Sequence, residues 1–258
     1  MFSIKNFRSS LITEKFGESI VFYEEIGSAS DEAKRLAREG KQEGFLVLAE
    51  KQTAGRGRFS RKWHSPEKTG LYCSLILRPS ISLSKIPLLT ILAGVAVLET
   101  IQNETSLSPL IKWPNDVLIN GKKICGILTE SVSKHSRIEF AVLGIGVNIN
   151  NQREEFPENI RSGSTSLRIE AGKDINREKF LSSLMYYLEK NYAGFLEEDN
   201  ENILKFWREN NETLGEKVTA YRGTRVVSGL AKDIDENGNL LIQLNNGNVE
   251  KVSSGELR

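Results

Sequence analysis

Residues 112–128 read KWPNDVLINGKKICGIL, and this stretch predicts a β-hairpin from which the rest of the fold can be placed. Two short apolar runs, residues 117–119 and 124–128, flank Asn120-Gly121. Both central residues of the tightest hairpin turns have a positive φ, so Asn-Gly between apolar runs is the strongest short-range hairpin signal. The sequence therefore predicts two antiparallel strands joined by a two-residue turn.

The residues around this turn carry polar groups that a hairpin would present to a ligand. Pro114 has no N–H for a strand ladder, so we expect the chain to turn there and to expose Asn115 and Asp116. Lys123 begins the second strand, where its side chain either reaches back to water or faces an anion. Strand alternation predicts one face with Lys123, Cys125 and Ile127, and the other with Ile124, Gly126 and Leu128.

Outward from the hairpin, the spacing of apolar residues predicts further strands and helices. Strands are predicted over residues 20–26, 45–49, 71–77 and 138–147. Helices are predicted from Ser28 to about residue 39, from about residue 84 to 105, after a cap at Asp174 or Asn176, and over residues 202–209. The second of these helices is apolar nearly all round, so we expect it to be buried against a sheet.

The pattern changes at about Gly215. Short predicted strands are joined there by glycine-containing turns, including Asn237-Gly238 and Asn246-Gly247. We interpret this segment as a β-meander that is too small for much core of its own and leans on the preceding domain. Its six basic and six acidic residues cancel, which weakens a nucleic-acid role.

Composition limits the class of protein. The chain has 258 residues, with 35 Lys plus Arg against 34 Asp plus Glu, and a formal net charge of +1. A nucleic-acid coat protein would be strongly basic. The longest nearly apolar stretch, residues 86–98, is shorter than the roughly 20 residues that a membrane-spanning helix needs. Cys73 and Cys125 lie in apolar runs, as expected of core residues in a reducing compartment, and we predict a cytoplasmic location.

A basic loop is the first candidate binding segment. Residues 51–63 contain five basic residues and no acidic residue, and two glycines, Gly55 and Gly57, flank the first arginine. Such a backbone can approach a ligand closely, and guanidinium groups suit carboxylates and phosphates. We expect mutual repulsion to keep the loop mobile until an anion binds. A solvated basic loop or a nucleic-acid patch is the alternative interpretation.

Glycines also interrupt the predicted strand that ends at residue 147. Gly144 and Gly146 indicate either a bulge or a close approach of a ligand to the backbone, and Asn148 could offer both a donor and an acceptor. The alternative is an ordinary strand end. His64 and His135 are too few and too isolated for a metal site, so we interpret both as surface or packing residues and predict no protein metal centre.

Four blocks in this order resemble the signature blocks of biotin protein ligases. They are GRGRFSRKW (55–63), KWPND (112–116), GKKICGILTE (121–130) and GIGVNIN (144–150). The resemblance implies an α+β fold, with a mixed-sheet catalytic domain of the biotin/lipoate ligase type over residues 1–213. A small Src-homology-type β-barrel would follow over residues 214–258.

The family resemblance also implies a two-step reaction. Biotin and ATP, with Mg²⁺, give biotinyl-5′-adenylate and pyrophosphate. A specific lysine of a biotin carboxyl carrier protein then attacks the mixed anhydride and releases AMP. Pre-placed cations would offset the repulsion between the two anions in the first step.

The resemblance assigns residues to each part of this reaction. The implied catalytic residues are Lys123, Arg58 and Asp116, although it leaves open whether Asp116 orients Lys123, binds Mg²⁺ through water or helps the incoming amine. The implied biotin-binding residues are Ser28, Ser30, Gln52, Gly55, Arg56, Arg58, Lys123 and Gly126. The implied ATP-binding residues are Arg58, Arg61, Trp63, Asn115, Lys123 and Asn148.

One block departs from the family pattern. Ser28-Ala29-Ser30 stands where the family usually has Ser-Thr-Asn, so one polar contact to biotin is either missing or supplied by Ser30. Only 27 residues precede Ser28, too few for the winged helix that lets some relatives bind operators, and we expect no operator binding. We expect no nucleic-acid or membrane partner. Many relatives join sheets edge to edge, so a homodimer stays open.

Two other functions compete with this interpretation. A lipoate or octanoate protein ligase would form a similar acyl-adenylate, but the GRGR and KWPND blocks fit the biotin branch. A non-enzymatic RNA-binding protein would use the arginine loop and the terminal barrel, against which the neutral tail counts.

Overall fold

The structure is a computed structural model that describes residues 1–134, 137–222 and 225–257. The prediction for His135 lies outside the described residues. The strands of the first part of the chain are β1 (Ile20–Ile26), β2 (Leu46–Gln52), β3 (Leu71–Leu77), β4 (Leu110–Lys112), β5 (Asp116–Ile119), β6 (Lys122–Lys134) and β7 (Arg137–Val147). The helices are α1 (Ile4–Ser10), α2 (Ala29–Arg38), α3 (Ile86–Glu104), α4 (Glu158–Arg161), α5 (Leu167–Ala171), α6 (Arg177–Leu196) and α7 (Glu201–Glu209).

These seven strands form one mixed sheet in the order β1-β2-β3-β7-β6-β5-β4. β1 and β2 are parallel because α2 crosses between them, and every other neighbouring pair is antiparallel. One face of the sheet packs on α3 and α6, and the other packs on α2. The predicted strands, helices and α+β class are therefore confirmed.

The β5–β6 hairpin forms at the predicted turn, but strand alternation is wrong beyond it. Asn120 and Gly121 have φ values of 51° and 71°, as a tight hairpin turn requires. The register shifts by one residue between Val117 and Leu118, which pair with Cys125 and Lys123, so Ile124 is an extra residue. A bulge of this kind turns the chain and re-aims side chains.

The bulge changes which residues share a face with Lys123. Ile124 and Cys125 are both fully buried in the core on the α3 side. A Cβ placed on Gly126 would lie 3.3 Å from Lys123 Cε, so these two residues face the same way. The prediction that grouped Lys123 with Cys125 and Ile127 is overturned, because one inserted residue reverses the alternation.

Two predicted helix features are confirmed by the structure. The Ser28 side chain caps α2 by accepting a hydrogen bond from the Asp31 N–H at 3.3 Å. α3 is the buried helix expected from its apolar sequence. A segment within Leu83–Glu104 is long and apolar enough to cross a membrane, but 67% of its most apolar window is buried inside the fold, as in a core helix.

The short elements α1, β4, α4, α5 and the last strand of the chain were not predicted from the sequence. α1 is held by tertiary contacts, since Phe2 and Phe7 are buried and the Phe2 N–H donates to Glu50 Oε2 at 3.3 Å. Glu50 in turn forms a buried ion pair with Arg177, at 2.8 Å. Elements of two to seven residues carry too little periodicity to be recognised.

The C-terminal segment folds as a second, antiparallel sheet. Its strands are β8 (Lys217–Arg222), β9 (Arg225–Ile234), β10 (Leu240–Gln243), β11 (Val249–Val252) and β12 (Glu256–Leu257). Their order is β11-β10-β9-β8-β12, so the predicted meander is confirmed and a fifth strand returns to pair with β8. The Trp113 indole N–H donates to Gly238 O at 3.1 Å and so ties this sheet to the first one.

Candidate active site

A cavity of about 390 Å³ opens on the α2 side of the large sheet, where β6 and β7 meet the basic loop and β12. Its floor is the backbone of the two central strands, where Gly126 pairs directly with Gly146. Most of the residues assigned from the sequence line this cavity. They are Ser30, Gln52, Arg56, Arg58, Arg61, Trp63, Asn115, Asp116, Lys123, Gly126 and Asn148.

Two assigned residues do not line the cavity. The Ser28 hydroxyl is used as the cap of α2. Gly55 lies against its own loop: a Cβ there would sit 2.7 Å from Trp63 O, and the Trp63 N–H donates to Gly55 O at 2.9 Å. The close approach made possible by Gly55 is therefore between two segments of protein.

Lys123 and Asp116 form an ion pair at the mouth of the β5–β6 hairpin. Lys123 Nζ lies 2.6 Å from Asp116 Oδ1, and the two side chains are about one-third exposed. The same ammonium group lies 5.4 Å from the centre of the Trp63 indole, within the range of a cation–π contact. The lysine is thus held in the cavity by an acid on one side and an aromatic face on the other.

The Trp63 indole rests on the paired glycines of the floor. A Cβ on Gly146 would lie 2.4 Å from Trp63 Nε1, and a Cβ on Gly126 would lie 2.8 Å from Trp63 Cζ3. No side chain other than hydrogen fits at either position without moving the ring. Trp63 Nε1 is buried and has no hydrogen-bond partner within the described part of the chain, so it is a donor available to a bound acceptor.

Arg58 connects the basic loop to both sheets. Its Nη1 donates to Asn115 Oδ1 and to Gly255 O, each at 3.1 Å. Burial lowers the pKa of the Arg58 guanidinium from its ordinary value, and the positive charge of Arg61 acts in the same direction while Asp116 opposes it. The group stays charged, and it meets an anion with little water between them.

The arginines on either side of Arg58 also have acidic partners. Arg56 pairs with Glu130 and, at 3.1 Å, with Asp31. Arg61 pairs with Glu256 at 2.6 Å. Carboxylates distant in sequence therefore offset the repulsion between the arginines on which the expected mobility of the loop depended, and the mobility itself stays a prediction.

Part of the cavity lining is uncharged and polar. Gln52 accepts from the Ala29 N–H at 2.8 Å and donates to Ser65 Oγ at 2.9 Å, which fixes its amide. The Ser30 and Ser74 hydroxyls lie 3.0 Å apart. Two hydroxyls that share one hydrogen bond retain a donor and several acceptor lone pairs for a polar ring.

The two asparagines assigned to ATP from the sequence, Asn115 and Asn148, are fixed by hydrogen bonds to the backbone. Asn148 is buried, and its Nδ2 donates to Thr165 O at 3.0 Å. Asn115 follows the cis Trp113–Pro114 bond and donates to Ile127 O at 2.9 Å. Both side chains line the cavity while they also fix its walls.

Sequence reasoning missed many residues that line the cavity, among them Ser74, His64, Ser164 and Glu256. Ser74 lies inside an apolar strand, where one small polar residue gives little signal. His64 is not a plain surface or packing residue, since it lines the cavity with its Nε2 buried and unpartnered among the described residues. In residues 1–134, 137–222 and 225–257, no group of three or more His, Cys, Asp or Glu side chains could hold a metal ion.

Comparisons with known proteins agree with this geometry. The Biotin/lipoate A/B protein ligase family matches residues 28–148, and the Biotin protein ligase C terminal domain matches residues 213–257. The Bifunctional ligase/repressor BirA of Bacillus subtilis is 39% identical over 250 residues, covering 97% of this chain and 77% of that protein. The Biotin--[acetyl-CoA-carboxylase] ligase of Mycobacterium tuberculosis is 30% identical, covering 88% and 84%.

A solved structure shares the whole architecture. The biotin protein ligase from Aquifex aeolicus in complex with biotin and ATP superposes with a TM-score of 0.79 at 30% identity, covering 93% of this chain and 98% of that one. The predicted catalytic fold with a small C-terminal domain is thereby confirmed. The chain belongs to the biotin protein ligases, within the biotin/lipoate A/B protein ligase family.

Proposed function

We propose that this chain is an ATP-dependent biotin–[acetyl-CoA-carboxylase] ligase that activates biotin as biotinyl-5′-AMP and transfers it to a lysine of a biotin carboxyl carrier protein. The observation that carries this proposal is the cavity itself, whose lining combines the cations Arg56, Arg58 and Lys123 with the polar side chains of Ser30 and Gln52. A molecule with a polar ring, an alkyl chain and a carboxylate matches that combination of groups.

The cations explain the first step. One oxygen of the biotin carboxylate attacks the α-phosphorus of ATP, the bond between the α- and β-phosphates breaks, and pyrophosphate leaves with its Mg²⁺. We assign Arg58 and Lys123 to the charge that gathers between the carboxylate and the α-phosphate, since fixed cations stabilise such charge best when water is excluded. Arg61, Trp63, Asn115 and Asn148 are assigned to the nucleotide.

The second step needs a neutral amine. A lysine with an ordinary pKa of about 10.4 is less than about 0.1% neutral at pH 7. The carrier amine attacks the acyl carbon, the bond from that carbon to the phosphate oxygen breaks, and AMP leaves while the amine loses a proton.

Asp116 forms an ion pair with Lys123 of this chain, and we propose that Asp116 orients the Lys123 side chain.

We further propose a catalytic domain over residues 1–213 and a C-terminal domain over residues 214–258. Mg²⁺ is expected to enter as part of the nucleotide substrate. The two buried free cysteines, of which burial raises the pKa of Cys73 to about 12, are in keeping with action in the cytoplasm. The absence of a nucleic-acid or membrane partner stays a prediction, and whether the protein forms a homodimer stays open.

The test is to incubate the protein with biotin, MgATP and a biotin carboxyl carrier domain, and then to weigh the carrier by mass spectrometry. We expect one added biotinyl group, and none on a carrier whose acceptor lysine is replaced by arginine. Lipoate and octanoate in place of biotin test the rival ligase. Modification by either acid in preference to biotin would overturn the proposal.

A further inference from the structure

Four charged side chains form a closed network at the edge of the cavity. The Glu130 carboxylate accepts from Arg56 through Oε2 and from Lys34 through Oε1, the latter at 3.2 Å. Asp31 Oδ1 lies 3.1 Å from Arg56 Nη2 and 3.0 Å from Lys34 Nζ. The network thus joins β6, α2 and the basic loop, and its two positive and two negative charges cancel.

Within this network, both oxygens of Glu130 are engaged. Lys34 holds one oxygen and Arg56 holds the other, so the carboxylate cannot turn without losing a charged partner. The Glu130 and Arg56 side chains are 28% and 34% exposed, whereas Asp31 is 55% exposed. Glu130 is therefore the better shielded of the two acids that touch the guanidinium, and its contact is less weakened by water.

Only part of the Arg56 guanidinium is used by these acids. Both carboxylates meet Nη2, while Nε is buried and has no partner in the described residues. Arg56 lines the cavity. An arginine side chain has many rotamers, and fixing one nitrogen leaves the remaining N–H groups aimed in one direction before any ligand arrives.

We propose that Glu130 is a positioning residue, which holds Arg56 so that the free side of its guanidinium meets the carboxylate of the acid substrate. This inference rests on the proposed function, in which Arg56 contacts biotin. Glu130 itself does not line the cavity, so its effect passes through Arg56.

Positioning and simple electrostatics predict opposite effects for Glu130→Gln. Removing this negative charge leaves the network with a net positive charge, which by itself would attract biotin and lower its Kd. If Glu130 acts by positioning, the loosened guanidinium should instead raise the Kd for biotin about tenfold, the size expected when a charge-assisted contact is lost. Whether the Kd for biotin rises or falls therefore distinguishes positioning by Glu130 from a purely electrostatic effect.

The experiment measures biotin binding by calorimetry without ATP, and pyrophosphate exchange with ATP. Glu130→Gln should raise the Kd and the KM for biotin about tenfold while it leaves the KM for ATP within about twofold. Glu32→Gln is the matched control, since Glu32 is a shielded α2 acid paired with Arg35 at 2.7 Å and outside the cavity lining. It should leave the biotin Kd unchanged.

A double-mutant cycle with Arg56→Met completes the test. In that background Glu130→Gln should change nothing further, because there is no guanidinium left to position. Additive losses, or an unchanged or lowered Kd in Glu130→Gln alone, would overturn the inference while the proposed function stands. If Glu130→Gln does not fold, Glu130→Asp, which retracts the carboxylate by one methylene, should show the same dependence on Arg56. Absence of biotin binding by the unmodified protein would defeat the proposed function and this inference together.

Discussion

Lys123 Nζ on β6 lies 2.6 Å from Asp116 Oδ1 on the neighbouring strand β5. The two residues are brought together by a tight turn and a bulge, so the acid that holds the lysine comes from the neighbouring strand. This pair links the local chemistry of the hairpin to the proposed adenylation step.

Asp116→Asn should slow biotinyl-adenylate formation by up to about fivefold, since a partly exposed ion pair of this kind contributes about 0.2–1 kcal/mol. Asparagine keeps the shape of the side chain but removes the charge that holds Lys123. ATP–pyrophosphate exchange with biotin measures the rate. Asp233→Asn, which breaks the 2.6 Å pair between Asp233 of β9 and Arg208 of α7, should leave the rate unchanged. A variant at position 116 as fast as the unmodified protein would remove Asp116 from the mechanism.

Gly146→Ala should displace the Trp63 indole, because the new methyl group would lie 2.4 Å from Nε1. Because Trp63 is assigned to the nucleotide, we expect the KM for ATP to rise at least about tenfold and the free energy of unfolding to fall by about 1–3 kcal/mol, as in other overpacked sites. Exchange kinetics and urea denaturation measure the two effects.

Gly194→Ala is the control for this substitution. Gly194 lies in α6, and the nearest atom to its added Cβ is 3.5 Å away. This change should stabilise the protein by about 0.5–1 kcal/mol and leave the KM for ATP unaltered. If Gly146→Ala behaves in the same way, the indole does not need the glycine floor.

Arg58→Gly should loosen the hold on biotinyl-5′-AMP. The substitution removes the two 3.1 Å hydrogen bonds that tie the loop to Asn115 and Gly255, as well as a buried positive charge. The escaped anhydride should then label exposed lysines on bystander proteins, which a streptavidin blot detects. Arg153→Gly, a change at an exposed arginine, should not increase this labelling. Bystander labelling at the level of the unmodified protein would contradict the role of Arg58.

Glu256→Gln should lower the KM for ATP by up to about fivefold. In this structure Glu256 occupies Arg61 at 2.6 Å, and a partly exposed pair of this kind contributes about 0.2–1 kcal/mol. Releasing Arg61 leaves it available to the phosphates. Glu250→Gln, which breaks the pair with Arg225 in the same sheet, serves as the control and should have no effect on ATP. A higher KM for ATP in Glu256→Gln would mean that Glu256 helps to build the nucleotide site.

Much of the fold follows from local sequence. The turn at Asn120-Gly121, the cap at Ser28 and the buried α3 helix each depend on residues within a few positions of one another. The four signature blocks likewise contain many of the residues that line the cavity. The chemistry of these blocks could be predicted because cationic, glycine and amide residues in this pattern are typical of a site that binds an anionic or polar ligand.

The partners of those side chains could not be predicted in the same way. Glu130 is 74 residues from Arg56 along the chain, and no local pattern indicates that the two meet. Glu256 and Gly255 reach the basic loop only because β12, a strand of two residues, pairs back onto β8. For this reason the sequence predicted repulsion among the arginines but not the carboxylates that offset it.

The sequence by itself determined the longer elements, the hairpin turn and the kinds of group in the site, because propensity, capping and turn geometry act over a few residues. Tertiary structure alone decided where those groups point. One bulge at Ile124 put Lys123 on the same face as Gly126, and the stacking of Trp63 on Gly126 and Gly146 required two strands to pair in one register. The direction in which a side chain points and the residues with which it pairs depend on contacts between distant segments, and these contacts form only when the sheet is assembled.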